Sequence, residues 1–138
     1  MPQIIVFANQ KGGVSKTTTT GAFAAELSHR GYRVLVIDAD PQANLSDSVG
    51  ADTQESNSLY DLLRRDCTVQ DTIQSLPVFD IIAANIMLSA CEQELTATGK
   101  EYRLREQIEP ILNDYDYIII DTPTSLGILT INAFTAAD

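Results

Sequence analysis

Residues 11–17 of the chain read Lys11-Gly12-Gly13-Val14-Ser15-Lys16-Thr17, and this stretch decides the fold. It follows residues 3–8, a short apolar run rich in β-branched side chains that predicts a buried strand. Beyond it, apolar residues recur at helical spacing over residues 17–30, and Gly31 predicts the end of that helix. A strand, a glycine-containing loop and a helix in this order favour a loop that binds phosphate groups.

The residue types in this loop suit a nucleotide with its metal ion. Gly12 and Gly13 allow consecutive backbone N–H groups to point at phosphate oxygens, because no side chain stands in the way. Lys16 would place its ammonium group against the β and γ phosphates, and the Thr17 hydroxyl would coordinate Mg²⁺. We therefore expect ATP or ADP with Mg²⁺ to bind here. The predicted nucleotide-binding residues are Lys11, Gly12, Gly13, Val14, Ser15, Lys16, Thr17 and Thr18.

Further strands and helices are expected downstream. Buried strands are predicted at residues 34–38, 79–84 and 117–121, and helices at residues 59–63, 102–112 and 126–137, with a short helix in the polar stretch 42–58. Pro110 either kinks the second of these helices or ends it early. Continuous apolar strands that alternate with helices predict an α/β fold, a mostly parallel sheet with helices on both faces. We expect one nucleotide-binding domain over residues 1–138.

Carboxylates follow two of the predicted strands directly. Asp38 and Asp40 come at the end of the second strand, and Asp121 ends the run Ile118-Ile119-Ile120. Ligands of parallel α/β sheets bind at the carboxyl ends of the strands, so these side chains should lie beside the phosphate loop. A terminal aspartate after a buried strand in a protein with such a loop predicts a residue that faces the metal ion.

Composition excludes some classes of protein. The 138 residues contain 9 Lys and Arg against 19 Asp and Glu, a formal charge of −10, which argues against a broad basic face for nucleic acid. No segment approaches the roughly 20 apolar residues that cross a bilayer, and no signal peptide is indicated, so a cytoplasmic protein with no membrane contact is expected. Cys67 and Cys91 are far apart and are predicted to be free, buried thiols.

Three motifs together resemble one family. Residues 11–17 fail the strict Walker A pattern at Gln10 and Ser15, but KGGxxKT resembles the deviant Walker A motif of the ParA/MinD group, including its extra lysine, Lys11. Residues 38–42, DADPQ, resemble the DxDPQ segment of ParA and Soj. Residues 121–127, DTPTSLG, resemble the family's DxPPSLG segment, with Thr124 in place of the second proline. The sequence is thus similar to the N-terminal portion of ParA/Soj partition ATPases.

This resemblance implies a P-loop NTPase fold and a Mg²⁺-dependent ATPase that acts in plasmid or chromosome partitioning. By resemblance, Lys11 reaches the nucleotide of the other subunit, Lys16 binds phosphate, and Asp40 positions the attacking water. Thr17, Asp38 and Asp121 are implied at the metal. The family also implies an ATP-bound homodimer, a ParB-like partner, and nonspecific DNA and the nucleoid for the full-length form. Because family members are longer, we expect this chain to lack their C-terminal strands and helices.

Two other functions remain open at this stage. One is a MinD-like regulatory ATPase, although DPQ favours ParA. The other is a truncated fragment that binds nucleotide without hydrolysing it or that only contacts other proteins.

Overall fold

The computed structural model describes residues 1–8, 13–95, 99–123 and 127–137, and gives only the backbone of residues 13–16. Within these ranges the strands are β1 (Gln3–Phe7), β2 (Val34–Asp38), β3 (Ile73–Ser75), β4 (Asp80–Ile82) and β5 (Tyr117–Asp121). The α-helices are α1 (Gly13–His29), α2 (Asn44–Ser48), α3 (Leu59–Leu63), α4 (Val69–Thr72), α5 (Cys91–Glu94), α6 (Arg103–Ile108) and α7 (Ile128–Ala137). Short 3-10 helices cover Ile86–Ala90, Lys100–Tyr102 and Glu109–Asp114.

The strands form one sheet in the order β1-β5-β2-β4-β3. The first four in this order run parallel, whereas β3 pairs antiparallel with β4. The predicted mostly parallel α/β sheet is therefore confirmed. The antiparallel edge strand β3 was not predicted, because its three residues include the polar Gln74 and Ser75 and show no apolar run.

Both faces of the sheet are covered by helices. On one face, Ile118 and Ile120 belong to a buried cluster that includes residues of α3, α6 and α7. On the other face, Ile119 belongs to a second cluster, which Ala24 of α1 and Leu45 of α2 complete. All five residues of β2 are buried, as expected for a central strand covered on both sides.

Helix α1 differs from the prediction at one end and agrees at the other. It begins at Gly13, four residues before the predicted start at Thr17. Helical backbone suits a phosphate loop here, since the first N–H groups of a helix have no acceptor within it. The predicted stop is confirmed: Gly31 has a φ of +93°, and the amide of Tyr32 donates to the carbonyl of Leu27 at 3.2 Å.

Other predictions have mixed outcomes. Helix α6 ends at Ile108 and a 3-10 helix follows, with Pro110 in its first turn, so the alternative of an early end is confirmed. Both cysteines are free, but the predicted burial holds only for Cys91, because Cys67 is partly exposed on the surface. The described helices are too short or too polar to cross a membrane.

Replacing Ile119 with alanine should destabilise the domain strongly. Its side chain is fully buried in β5, and removing such a side chain from a core costs about 2–5 kcal/mol. Urea unfolding followed by circular dichroism measures the change. Ile131→Ala is the control, since Ile131 is 45% exposed on α7 and should change the free energy of unfolding by less than about 1 kcal/mol. Equal losses in the two variants would contradict the position of Ile119 in the core.

Candidate functional site

The carboxyl ends of three strands lie side by side. Asp121 at the end of β5 stands opposite Phe7 of β1 on one side and Asp38 of β2 on the other. The junction continues one residue further, because the amide and hydroxyl of Thr122 donate to the Phe7 carbonyl at 3.2 and 2.9 Å. The amide of Ala39 donates to the Asp121 carbonyl at 2.8 Å. Two of the predicted aspartates are thus neighbours, next to the strand from which the predicted phosphate loop leaves.

Helix α1 is fixed to this edge by a buried hydrogen bond. The Thr20 hydroxyl donates to Oδ1 of Asp121 at 3.1 Å, and both residues are fully buried. Thr17 lies three residues earlier, on the same side of the helix, and is 7% exposed. The first turns of α1 therefore lie at the end of β5, as a strand-loop-helix phosphate site requires.

The structure describes the predicted loop only in part. Lys11 and Gly12 lie outside the described residues, and so do the side chains of residues 13–16, whose backbone forms the first turn of α1. Thr18 is described and is exposed. The nucleotide-binding roles assigned to residues 11–18 stay predictions.

Asp38 is held by hydrogen bonds from inside the protein. Its Oδ2 accepts bonds from the amide and the hydroxyl of Ser46, at 2.9 and 2.6 Å, and its Oδ1 accepts one from the amide of Asp40 at 3.2 Å. Burial raises the pKa of Asp38 to about 7; the bonds from Ser46 and Asp40 oppose this rise, and the charge of Asp121 adds to it. Both oxygens of Asp38 are thus engaged before any ligand arrives.

Asp40 sits in a tight turn after β2. Its Oδ1 accepts a bond from the amide of Gln42 at 3.0 Å, and its carbonyl accepts one from the amide of Ala43 at 2.9 Å. Ala43 has a left-handed backbone, with a φ of 57°, which costs an alanine about 1–2 kcal/mol. The turn leaves Asp40 9% exposed at the carboxyl edge of the sheet.

The oxygen atoms available at this edge are ligands of the kind that a magnesium ion prefers. Mg²⁺ prefers oxygen ligands and is usually held by one or two carboxylates, with water and substrate phosphates completing its shell. Asp121 and Thr17 offer a carboxylate and a hydroxyl of this kind. No group of three or more acidic, histidine or cysteine side chains suited to a metal occurs among the described residues. Because both oxygens of Asp38 accept bonds from inside the protein, we expect Asp38 to act on the ion through bound water.

Two residues at the site were missed by sequence reasoning. Thr20 could have been found, since it lies one helical turn after Thr17 and would share its face of α1. Ser46 left no such signal, because its partners are Asp38, eight residues away, and the amide of Ala84, 38 residues away.

Comparisons with known proteins show the family of the chain. A family model described as an AAA domain matches residues 2–138. The chain belongs to this family. The sporulation initiation inhibitor protein Soj of Bacillus subtilis is 46% identical over an alignment that covers 100% of this chain and 56% of that protein. The chromosome partitioning protein ParA of Caulobacter vibrioides is 46% identical, with 99% and 53% covered. The resemblance to the ParA/Soj family is confirmed, and the chain spans about half the length of these relatives.

Solved structures extend the similarity to the backbone. Cobyrinic acid a,c-diamide synthase from Mycobacterium smegmatis, with a bound ATP analogue and magnesium, superimposes with a TM-score of 0.95 at 38% identity, covering 99% of this chain and 57% of that one. A plasmid partition protein from Borrelia burgdorferi gives a TM-score of 0.87 at 29% identity, covering 100% and 63%. The backbone of this chain is thus similar, over nearly its whole length, to backbones of proteins that carry different names.

Replacing Thr20 with valine tests how α1 is fixed to the sheet. Valine keeps the shape of threonine but leaves Oδ1 of Asp121 without this donor in a buried position, which should cost about 1–3 kcal/mol of unfolding free energy. Thr20→Ser, which keeps the hydroxyl, is the matched control and should lose less. Urea unfolding measures the free energy of unfolding of both variants. A valine variant as stable as the wild type would contradict a stabilising contribution from this bond.

Proposed function

We propose that the chain is the nucleotide-binding part of a Mg²⁺-dependent ATPase of the ParA/Soj type, which acts in plasmid or chromosome partitioning. The observation that carries the proposal is the Thr20–Asp121 bond, since it brings the phosphate-loop helix and the predicted metal-facing aspartate together. The identity of 46% with both Soj and ParA supports the partition role.

The roles of the residues follow from the needs of phosphoryl transfer. This reaction depends on positioning and charge neutralisation, and a bound Mg²⁺ supplies part of that neutralisation. Lys16, Thr17 and Asp121 hold the phosphates and the ion. Asp40, which follows β2 at the carboxyl edge of the sheet, orients the water that attacks the terminal phosphate. Because its turn is fixed by two internal hydrogen bonds, Asp40 needs little rearrangement to act.

Nucleotide binding is supported by relatives that differ in name. The M. smegmatis synthase was crystallised with an ATP analogue and with ADP, each with magnesium, and a Cyanothece McdA variant forms an ATP complex. These proteins bind the same kind of nucleotide but differ in the biological role that their names give. They therefore support ATP binding by this chain more strongly than they support its role in partitioning. Partitioning is favoured over cobyrinic acid amidation because Soj and ParA are more similar in sequence than the synthase is, 46% against 38%.

The partners of the proposed enzyme follow from the family. They are a second copy in the ATP-bound state, a ParB-like protein, and nonspecific DNA for a full-length form located at the nucleoid in the cytoplasm. The charge of −10 indicates that DNA contacts would not come from these residues. A gel shift of a form extended to full family length with nonspecific DNA separates this function from that of a MinD-like regulator. ATP turnover separates it from a fragment that does not hydrolyse.

Replacing Asp40 with alanine should remove hydrolysis and keep binding. We expect kcat to fall about 100-fold, since the water loses its orienting group, while the affinity for ATP changes little. Steady-state phosphate release and calorimetric titration with ATP and Mg²⁺ measure the two quantities. Asp47→Ala, in an exposed acidic position of α2, is the control and should match the wild type. A wild-type chain that binds no ATP would overturn the proposed function.

Replacing Lys11 with alanine should abolish ATP-dependent dimerisation and leave nucleotide binding mostly intact. By resemblance to the family, this lysine reaches the nucleotide of the other subunit. Sedimentation velocity with and without ATP measures the dimer. Lys100→Ala removes a lysine far along the chain from the loop and should dimerise as the wild type does. If the Lys11 variant dimerises equally well in ATP, the assigned role is wrong.

A further inference from the structure

Ser46 is a fully buried serine in the middle of α2. Its amide and hydroxyl donate to Oδ2 of Asp38 at 2.9 and 2.6 Å. The same hydroxyl oxygen accepts a bond from the amide of Ala84 at 3.0 Å, just after β4. One hydroxyl thus joins the end of β2, the helix α2 and the segment after β4.

The connection continues from Asp38 to Asp40. The other oxygen of Asp38 accepts a hydrogen bond from the amide of Asp40 at 3.2 Å. One chain of hydrogen bonds therefore links Ala84, Ser46, Asp38 and Asp40. We call this chain the Ser46 clamp. Its members lie at the end of β2 and just after it, in α2, and in the segment after β4. Ala84, Ser46 and Asp38 are fully buried. The clamp therefore fixes the backbone of Asp40 from the inside of the domain.

The turn that follows Asp40 needs such an anchor. Ala43 holds a left-handed backbone, a conformation that persists in a non-glycine residue only when the surroundings impose it. Ser46 lies three residues after Ala43 and is bonded to both neighbouring segments. The turn begins directly after β2, and Ser46, which follows it, is fixed by its bonds to Asp38 and Ala84. Both ends of the turn are therefore fixed.

We propose that Ser46 is a positioning residue for Asp40. Ser46 is anchored by the amide of Ala84, and it holds Asp38, which in turn holds the backbone of Asp40. The inference rests on the proposed function, in which Asp40 orients the attacking water. A hydroxyl suits the position because it donates to the carboxylate and accepts from the amide of Ala84 at once. Alanine can do neither with its side chain.

The test compares Ser46→Ala with Ser48→Ala in the intact chain. Ser48 is on the same helix, is exposed, and donates one hydroxyl bond to the carbonyl of Leu45 at 2.8 Å, so its loss is a matched control. In Ser46→Ala we expect kcat for ATP hydrolysis to fall about tenfold or more while KM changes less than about twofold. Ser48→Ala should keep both constants. Ser46→Thr keeps the hydroxyl and should recover most of the lost kcat.

A second measurement does not depend on hydrolysis. Amide hydrogen exchange by NMR should speed up about tenfold at Asp40 and Ala84 in Ser46→Ala, with the amide of Ile119 in β5 unchanged. If Ser46→Ala does not fold, Ser46→Cys keeps a weaker donor and should give smaller changes of the same kind.

The outcomes separate the two proposals. Wild-type exchange at Asp40 in a folded Ser46→Ala variant overturns the clamp, whereas faster exchange with unchanged kcat overturns the positioning role. A rise in KM equal to the fall in kcat/KM, at unchanged kcat, also overturns it, because Ser46 would then act on nucleotide binding. If the wild-type chain hydrolyses no ATP, the proposed function and the positioning role both fail, while exchange at Asp40 still shows whether the clamp exists.

Discussion

Two buried carboxylates at neighbouring strand ends are the constraint on which this edge of the domain depends. Asp38 and Asp121 stand opposite each other in the pairing of β2 and β5, and both are fully buried. Burying an ionised carboxylate costs several kcal/mol unless hydrogen bonds or a counter-charge compensate. Ser46 of α2 supplies donors to Asp38, and Thr20 of α1 supplies one to Asp121. The positions of two helices are therefore set by the same electrostatic need.

A phosphate site in so acidic a chain requires a local source of positive potential. No lysine or arginine occurs between Arg33 and Arg64, so the segment that carries Asp38 and Asp40 adds only negative charge. In the proposed site, compensation would come from the N–H groups at the start of α1 and from the lysines of residues 11–17. A divalent cation beside Asp121 would reduce the same repulsion, so the metal and the fold would stabilise each other.

The features that sequence predicted are those with a continuous local signal. β2 and β5 are runs of apolar residues that end in aspartate, and Gly31 marks the end of α1 by a conformation that glycine adopts easily. β3 has no such signal, because it exists only by pairing with β4. The part that Ser46 plays at the site was equally hidden, since hydrogen bonds to distant segments leave no spacing in the sequence. The features that the sequence did not predict are thus those that depend on contacts between segments far apart in the chain.

The place of β5 in the sheet has a consequence for the order of folding. β5 is the last strand of the described chain, yet it lies between β1 and β2, the first two. Until residues 117–121 are synthesised and inserted, those two strands have no shared neighbour, and Thr20 of α1 has no Asp121 to which it can donate. Closing contacts over so long a stretch of chain costs entropy before it gains any stabilisation, which slows folding. Helix α1, among the first segments made, is thus one of the last to be fixed in place.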